Sequence, residues 1–136
     1  MNGERQQSES KPAARMRRDG RLRRHGDFER VYKQGRRHFA AHLTVFYLRR
    51  ELDNGLRVGF TVGRALGGAV ERNRMKRRLR EAVRRHWPKE MPPADVVINP
   101  KKTLLKADFT ELENDIRRAF EVIQKSLKAP SGKNNA

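Results

Sequence analysis

Two adjoining runs decide the fold. Leu56-Arg57-Val58-Gly59-Phe60-Thr61-Val62 alternates, whereas Ala69-Val70-Glu71-Arg72-Asn73-Arg74-Met75-Lys76-Arg77-Arg78-Leu79-Arg80-Glu81-Ala82-Val83-Arg84-Arg85-His86-Trp87 does not. In the first, Leu56, Val58, Phe60 and Val62 share one face of an extended chain, with Arg57, Gly59 and Thr61 on the other. The pattern predicts a strand with one core face and one shallow face over which a groove can form. In the second, Met75, Leu79, Ala82, Val83 and Trp87 recur at helical spacing and Pro88 stops the run, which predicts a helix over 69–87. The glycine-rich Gly63-Arg64-Ala65-Leu66-Gly67-Gly68 joins the two. It matches neither the phosphate loop, which needs Gly-Lys-Ser/Thr, nor the dinucleotide fingerprint, so it reads as a turn or as an anion-accepting helix start.

Upstream, Leu43, Val45 and Tyr47 alternate with Thr44, Phe46 and Leu48, and the run ends at Asp53-Asn54-Gly55. An Asn-Gly pair between alternating runs predicts a hairpin joining this strand to 56–62. Segment 36–41 is a candidate further strand. Phe28, Val31 and Tyr32 fall at helical spacing before Gly35 and predict a helix over 26–34. Downstream, Pro92 and Pro93 mark a loop and Val96-Val97-Ile98 a short buried strand stopped by Pro100. The last helix is opened by Asp108, with Glu111 three positions on as a capping box, and carries Phe109, Leu112, Ile116, Phe120, Ile123 and Leu127. The order α-β-β-(β)-α-β-α predicts an α+β two-layer sandwich.

The chain has 136 residues, one domain's worth, with 35% hydrophobic residues for a modest core. Residues 1–21 predict a flexible basic arm, 22–128 the folded domain, and 129–136 a disordered tail. With no cysteine there is no disulfide scaffold, thiolate zinc site or Cys nucleophile, which fits a reducing cytosol. Met-Asn-Gly-Glu-Arg at the start has no apolar signal region and no stretch approaches a membrane span, so a cytoplasmic protein without membrane contact is expected.

Lys and Arg total 33 against 16 Asp and Glu, a net charge of +17. That excess repels itself, and a polyanion that neutralises it is the simplest partner. Its distribution is uneven: residues 64–86 hold nine basic and two acidic side chains, whereas 107–128 hold four and five. A merely solvated surface spreads its charge; this concentration points to nucleic acid docking on the 69–87 helix. Catalytic groups are hard to find. Ser8, Ser10 and Ser131 lie in the expected tails and Ser126 near the end of the last helix. His25, His38, His42 and His86 lack zinc-site spacing, and Asp95, Asp108 and Glu111 stand where turns and caps want carboxylates. Phe28 and Tyr32 lie one helical turn apart and Phe46 is on the outer strand face; these rings either stack single-stranded bases or pack on one another.

From Leu22-Arg23 through Asp27-Phe28-Glu29-Arg30-Val31-Tyr32, Arg57-Val58-Gly59-Phe60-Thr61-Val62 and Gly67-Gly68-Ala69-Val70 to Arg72-Asn73-Arg74-Met75-Lys76-Arg77-Arg78-Leu79-Arg80-Glu81, the chain resembles the protein subunit of bacterial ribonuclease P. The Arg-Asn-Arg motif on a basic helix is that family's hallmark. The resemblance implies a ribosomal protein S5 domain 2-like sandwich with a left-handed crossover at this helix. It also implies a ribonucleoprotein endonuclease in which a catalytic RNA, using Mg2+, removes the 5′ leader of precursor tRNA, while the protein binds that RNA and the leader. No catalytic residue and no firmly protein-bound metal are then expected in the chain. Carried over by position, Arg64, Arg72, Asn73, Arg74, Lys76, Arg77 and Arg80 would contact the catalytic RNA, and Phe28, Tyr32 and Phe46 would line the leader cleft. Many relatives carry two consecutive basic residues after the second strand; here Arg64 is followed by Ala65, so the likeness does not extend to a cation at 65. Beside this stand two alternatives: a general ribosomal or chaperone-like RNA-binding protein without a role in cleavage, and a module whose basic helix enters the DNA major groove, although no DNA partner is expected.

Overall fold

The computed structural model describes residues 21, 22, 24–51 and 55–128. The expected tail, and all of the expected arm but Arg21, lie outside them. Among the described residues the order is α1 (His25–Gln34), β1 (Arg36–Phe39), β2 (Leu43–Arg49), β3 (Leu56–Phe60), α2 (Ala69–Arg85), β4 (Ala94–Pro100) and α3 (Phe109–Lys128), with single 3-10 turns at Arg64–Leu66 and Lys102–Leu105. The α+β sandwich predicted from periodicity is present, and the segment after α1 does supply an extra strand.

The predicted hairpin is not. The sheet runs β1-β2-β4-β3, so β2 and β3 are separated by β4. β4 pairs antiparallel with β2, Phe46 opposite Val97, and parallel with β3, Gly59 opposite Val97. Asp53 and Asn54 lie outside the described residues; the strands they were expected to join are not neighbours. Local turn chemistry was outweighed by the apolar run Val96-Val97-Ile98, buried on both sides and therefore central. The real hairpin joins β1 to β2 through Ala40-Ala41-His42, closed by Ala40 N–H donating to the Leu43 carbonyl at 2.9 Å. The parallel β3–β4 pair, joined through α2, is the crossover at the basic helix.

Alternation assigns the two faces of the sheet. Leu43, Val45, Tyr47, Leu56, Val58, Ala94, Val96 and Ile98 point to a core closed by Met75, Leu79, Ala82 and Val83 of α2 and Leu112, Ile116, Ala119, Phe120, Ile123 and Leu127 of α3. Each large apolar side chain so buried contributes roughly 1.5–3 kcal/mol, which explains why α3 holds despite its nearly neutral, highly charged outer surface. Among the described residues the opposite face carries one helix, α1, seated through Val31 and Phe28 on Leu22 and Val97, which leaves much of that face uncovered by them.

The capping box also falls elsewhere than expected. Glu71, not Glu111, reaches back, its Oε1 accepting from Gly68 N–H at 3.0 Å at the start of α2. Gly67 precedes it with φ of 140°, a conformation that side chains other than hydrogen resist. The carboxylate of Glu71 thus already sits at the positive end of α2, which favours the turn reading of the glycine loop. Glu111 is instead bonded to His42, whose Nε2 lies 3.0 Å from Oε1.

Candidate nucleic-acid interface

The cations of α2 divide by what they touch. Arg78 donates to the carbonyls of Leu104, Leu105 and Ala107 at 2.9, 3.0 and 2.6 Å, tying the helix to the turn before α3. Arg84 and Arg85 both pair with Glu81, and Arg85 also with Glu113, which holds the Glu81 carboxyl below its usual range. Arg72 donates from Nε to the Gly67 carbonyl at 3.1 Å, bracing the glycine loop and leaving the rest of its guanidinium unassigned. Arg74, Arg77 and Arg80 are exposed and Lys76 is half-buried; none has an acidic partner among the described residues. Arg80 is crowded: desolvation first, then the charges of Arg21 and Arg77, push its guanidinium below the ordinary arginine range, though it stays a cation at neutral pH. Such a cluster gains from an anion that water alone does not supply. Asn73 is exposed between these cations and Arg64 is exposed on the 3-10 turn preceding the helix.

The aromatic residues meet on the open sheet face. The Tyr32 ring stands edge-on to Phe46 with centroids 4.9 Å apart, and the Arg37 guanidinium lies 5.4 Å from the Phe46 centroid on the far side of β2. The Tyr32 hydroxyl is 2.8 Å from Thr61 Oγ1 and donates to Asn99 Oδ1 at 3.0 Å, so it is anchored across β3 and β4. Phe28 fills the space above Gly59: a methyl group at 59 would stand 2.5 Å from Phe28 Cζ. Tyr32 and Phe46 pack on each other, Phe28 packs on Gly59 and the Leu22–Val31–Val97 cluster, and the group still leaves surface, Tyr32 being 36% exposed. Packing and stacking are here compatible uses of the same rings.

One residue that sequence reasoning misplaced holds this arrangement together. Asp95, taken as a turn carboxylate, is fully buried on β4 beneath α1. It accepts from Arg57 Nε at 2.8 Å and Nη2 at 2.9 Å, and from Arg30 Nη2 of α1 at 3.1 Å, with Arg50 Nε at 3.5 Å. Asp27 of α1 completes the network, 3.5 Å from Arg57. The hydrogen bond to Asp95 raises the Arg57 pKa above its ordinary value against the desolvation that lowers it. α1 is therefore pinned to the sheet by charge at one end and by the Tyr32 hydroxyl at the other. The alternation of β4, had it been read to Asp95, marks it as facing the same side as Val97 and Asn99; three distant arginines as partners leave no local signal.

Among the described residues no three His, Asp or Glu side chains converge into a metal site. His42 is bonded to α3 instead, its Nε2 to Glu111, while His38 is pushed below its ordinary pKa by burial and then by the charge of Arg118 on α3, against the opposing charge of Asp115.

The sequence profile of the family described as Ribonuclease P matches residues 16–124. The chain belongs to the ribonuclease P protein family. It is 41% identical over 101 residues to the ribonuclease P protein component of Symbiobacterium thermophilum, covering 74% of this chain and 88% of that one. It is 42% identical over 104 residues to the component of Chloroflexus aggregans, covering 76% of each. The ribonuclease P protein from Thermotoga maritima superposes with a TM-score of 0.67 at 28% identity, covering 76% of this chain and 96% of that one. The Staphylococcus aureus ribonuclease P protein, at 24% identity and a TM-score of 0.67, shares the fold. Membership in the ribonuclease P family carries a role in processing the 5′ ends of tRNA as part of an endoribonuclease ribonucleoprotein, with ribonuclease P RNA as partner. Among the described residues no helix is long and apolar enough to cross a membrane.

Proposed function

We propose that this chain is the non-catalytic subunit of its ribonuclease P, binding the catalytic RNA along α2 and the 5′ leader of precursor tRNA in the α1–sheet cleft. The observation that carries this reading is the separation of two surfaces: a helix whose outward cations lack acidic partners among the described residues, and a half-exposed aromatic cleft on the other face of the sheet. In it, Arg74, Lys76, Arg77 and Arg80 neutralise phosphates of the RNA subunit, with Arg64, Arg72 and Asn73 at the same end, and release its counterions. Phe28, Tyr32 and Phe46 offer ring faces and edges to unpaired leader bases, a contact tolerant of sequence because every base has a π-face. Position and charge are what the protein supplies; the hydrolytic chemistry belongs to the RNA. Magnesium ions, held by RNA phosphates, would supply the activated water and stabilise the leaving oxygen. Among the described residues, the carboxylates of Asp95, Glu81 and Glu111 are engaged with Arg or His.

The two surfaces make separable predictions. Arg74→Ala should weaken assembly with the RNA subunit and lower the slope of log affinity against log salt by about one. Phe46→Ala should leave assembly intact and weaken the holoenzyme for leader-bearing precursor roughly 5- to 150-fold, the worth of about 1–3 kcal/mol of stacking. If both variants assemble and bind like wild type, a general RNA-binding role without part in cleavage replaces this one.

A further inference from the structure

Phe39 is an aromatic side chain that neither the core nor the cleft uses. It is 66% exposed at the end of the edge strand β1. Its register partner is Thr44, and directly opposed residues of antiparallel strands point to the same side, so Phe39 shares the open face with Arg37 and Phe46. Arg37 confirms that side by lying over the Phe46 ring. Across from Thr44 stands Asn99, which accepts from the Tyr32 hydroxyl. Phe39, Thr44 and Asn99 thus form one row leading from the sheet edge to the cleft.

Spacing and charge fit a nucleotide chain. Strand geometry places Phe39 about 7 Å along and about 5 Å across from Phe46, a separation comparable with the step between bases of an extended single strand. Cations accompany it: Arg37 stands on β1 opposite Phe46 and two residues before Phe39, and Lys101 donates to the Ala40 carbonyl at 2.9 Å beside Phe39. An exposed ring on a sheet edge invites strand addition by a peptide, but this edge is only four residues long and begins with Arg36 and Arg37, features that discourage such pairing. The same features favour a polyanion.

We propose that Phe39 is a further base-stacking platform, taking a leader nucleotide beyond the Tyr32–Phe46 pair and extending the leader path across the sheet to its β1 edge. Arg37 and Lys101 flank the phosphates of that nucleotide. The proposal rests on the cleft being the leader site, and its test separates the two. The experiment uses the holoenzyme assembled from the full chain and ribonuclease P RNA, with precursor tRNAs carrying 2-aminopurine at successive leader positions, whose fluorescence falls on stacking. Phe39→Ala is expected to restore fluorescence at a position farther from the cleavage site than those restored by Phe46→Ala. Affinity for the long-leader precursor should fall roughly 5- to 150-fold, Phe39→Tyr should keep it, and the melting temperature should not move because the ring is exposed. Phe46→Ala altering quenching while Phe39→Ala does not would overturn the Phe39 platform alone. Indifference of both variants and of leader shortening would overturn the cleft assignment and this proposal together. An equal loss with a single-nucleotide leader would mean that Phe39 meets another partner, a peptide or the catalytic RNA, and would also overturn it.

Discussion

Arg57 and Arg77 carry the same guanidinium to opposite fates. Under α1, Arg57, Arg30 and Arg50 converge on the buried carboxylate of Asp95 and fasten a helix to a sheet. On α2, Arg77 faces Arg80 and, through it, Arg21, a cluster whose members raise one another's cost. A charge count treats these groups alike. The difference teaches that net charge identifies a class of partner, whereas partner geometry identifies which cations are available to it. Arg78, Arg84 and Arg85 lie in the most basic stretch of the chain, yet they serve the fold.

The comparison breaks most visibly at Asp95. Asp95→Ala leaves Arg57 and its neighbours without their buried carboxylate and should cost about 3–5 kcal/mol in denaturant unfolding. Any folded Asp95→Ala protein should lose leader-dependent binding ahead of RNA assembly, since α1 is what Asp95 positions. A smaller loss, roughly 2–3 kcal/mol, is expected for Arg78→Ala, which strips charged donors from the carbonyls of Leu104, Leu105 and Ala107. Arg77→Ala, one residue earlier, should change stability by less than about 0.5 kcal/mol while lowering the salt slope of RNA binding; equal stability losses for the two would erase the distinction drawn here.

The smallest effect concerns pH. His38 has its pKa depressed in the folded protein by burial first and Arg118 second. Between its folded and unfolded values the unfolded chain holds the extra proton, so its contribution to stability is full above about pH 6.5 and is lost as pH falls toward the folded value. Acidifying from about pH 7.5 to about pH 5 should therefore lower the melting temperature of wild type more than that of His38→Asn. An identical drop in both would assign the acid sensitivity to other groups.

Much of this was legible in the chain. The 3.6-residue stripe of α3, the alternation of β2 and β3 and the basic face of α2 each follow from spacing, and each is where periodicity put it. What spacing could not supply was order in the sheet. The Asn54-Gly55 signal is local, whereas insertion of β4 between β2 and β3 depends on burying Val96, Val97 and Ile98 from both sides, a long-range requirement. The candidate site divides the same way. Its cations and rings were identifiable by residue type, but Asp95 acquires its partners from α1, β3 and the segment after β2, and Phe39 its face from a register only the folded sheet defines.

The central claim is that the chain lends position and charge to an RNA that cuts leader-bearing tRNA. It is tested most directly by cleavage of precursor tRNA at low magnesium, comparing ribonuclease P RNA alone with RNA plus this protein, on full and shortened leaders. The account predicts stimulation at the mature 5′ end that shrinks when the leader is shortened. Tight RNA binding without stimulation, by an RNA still active alone at high magnesium, would contradict it.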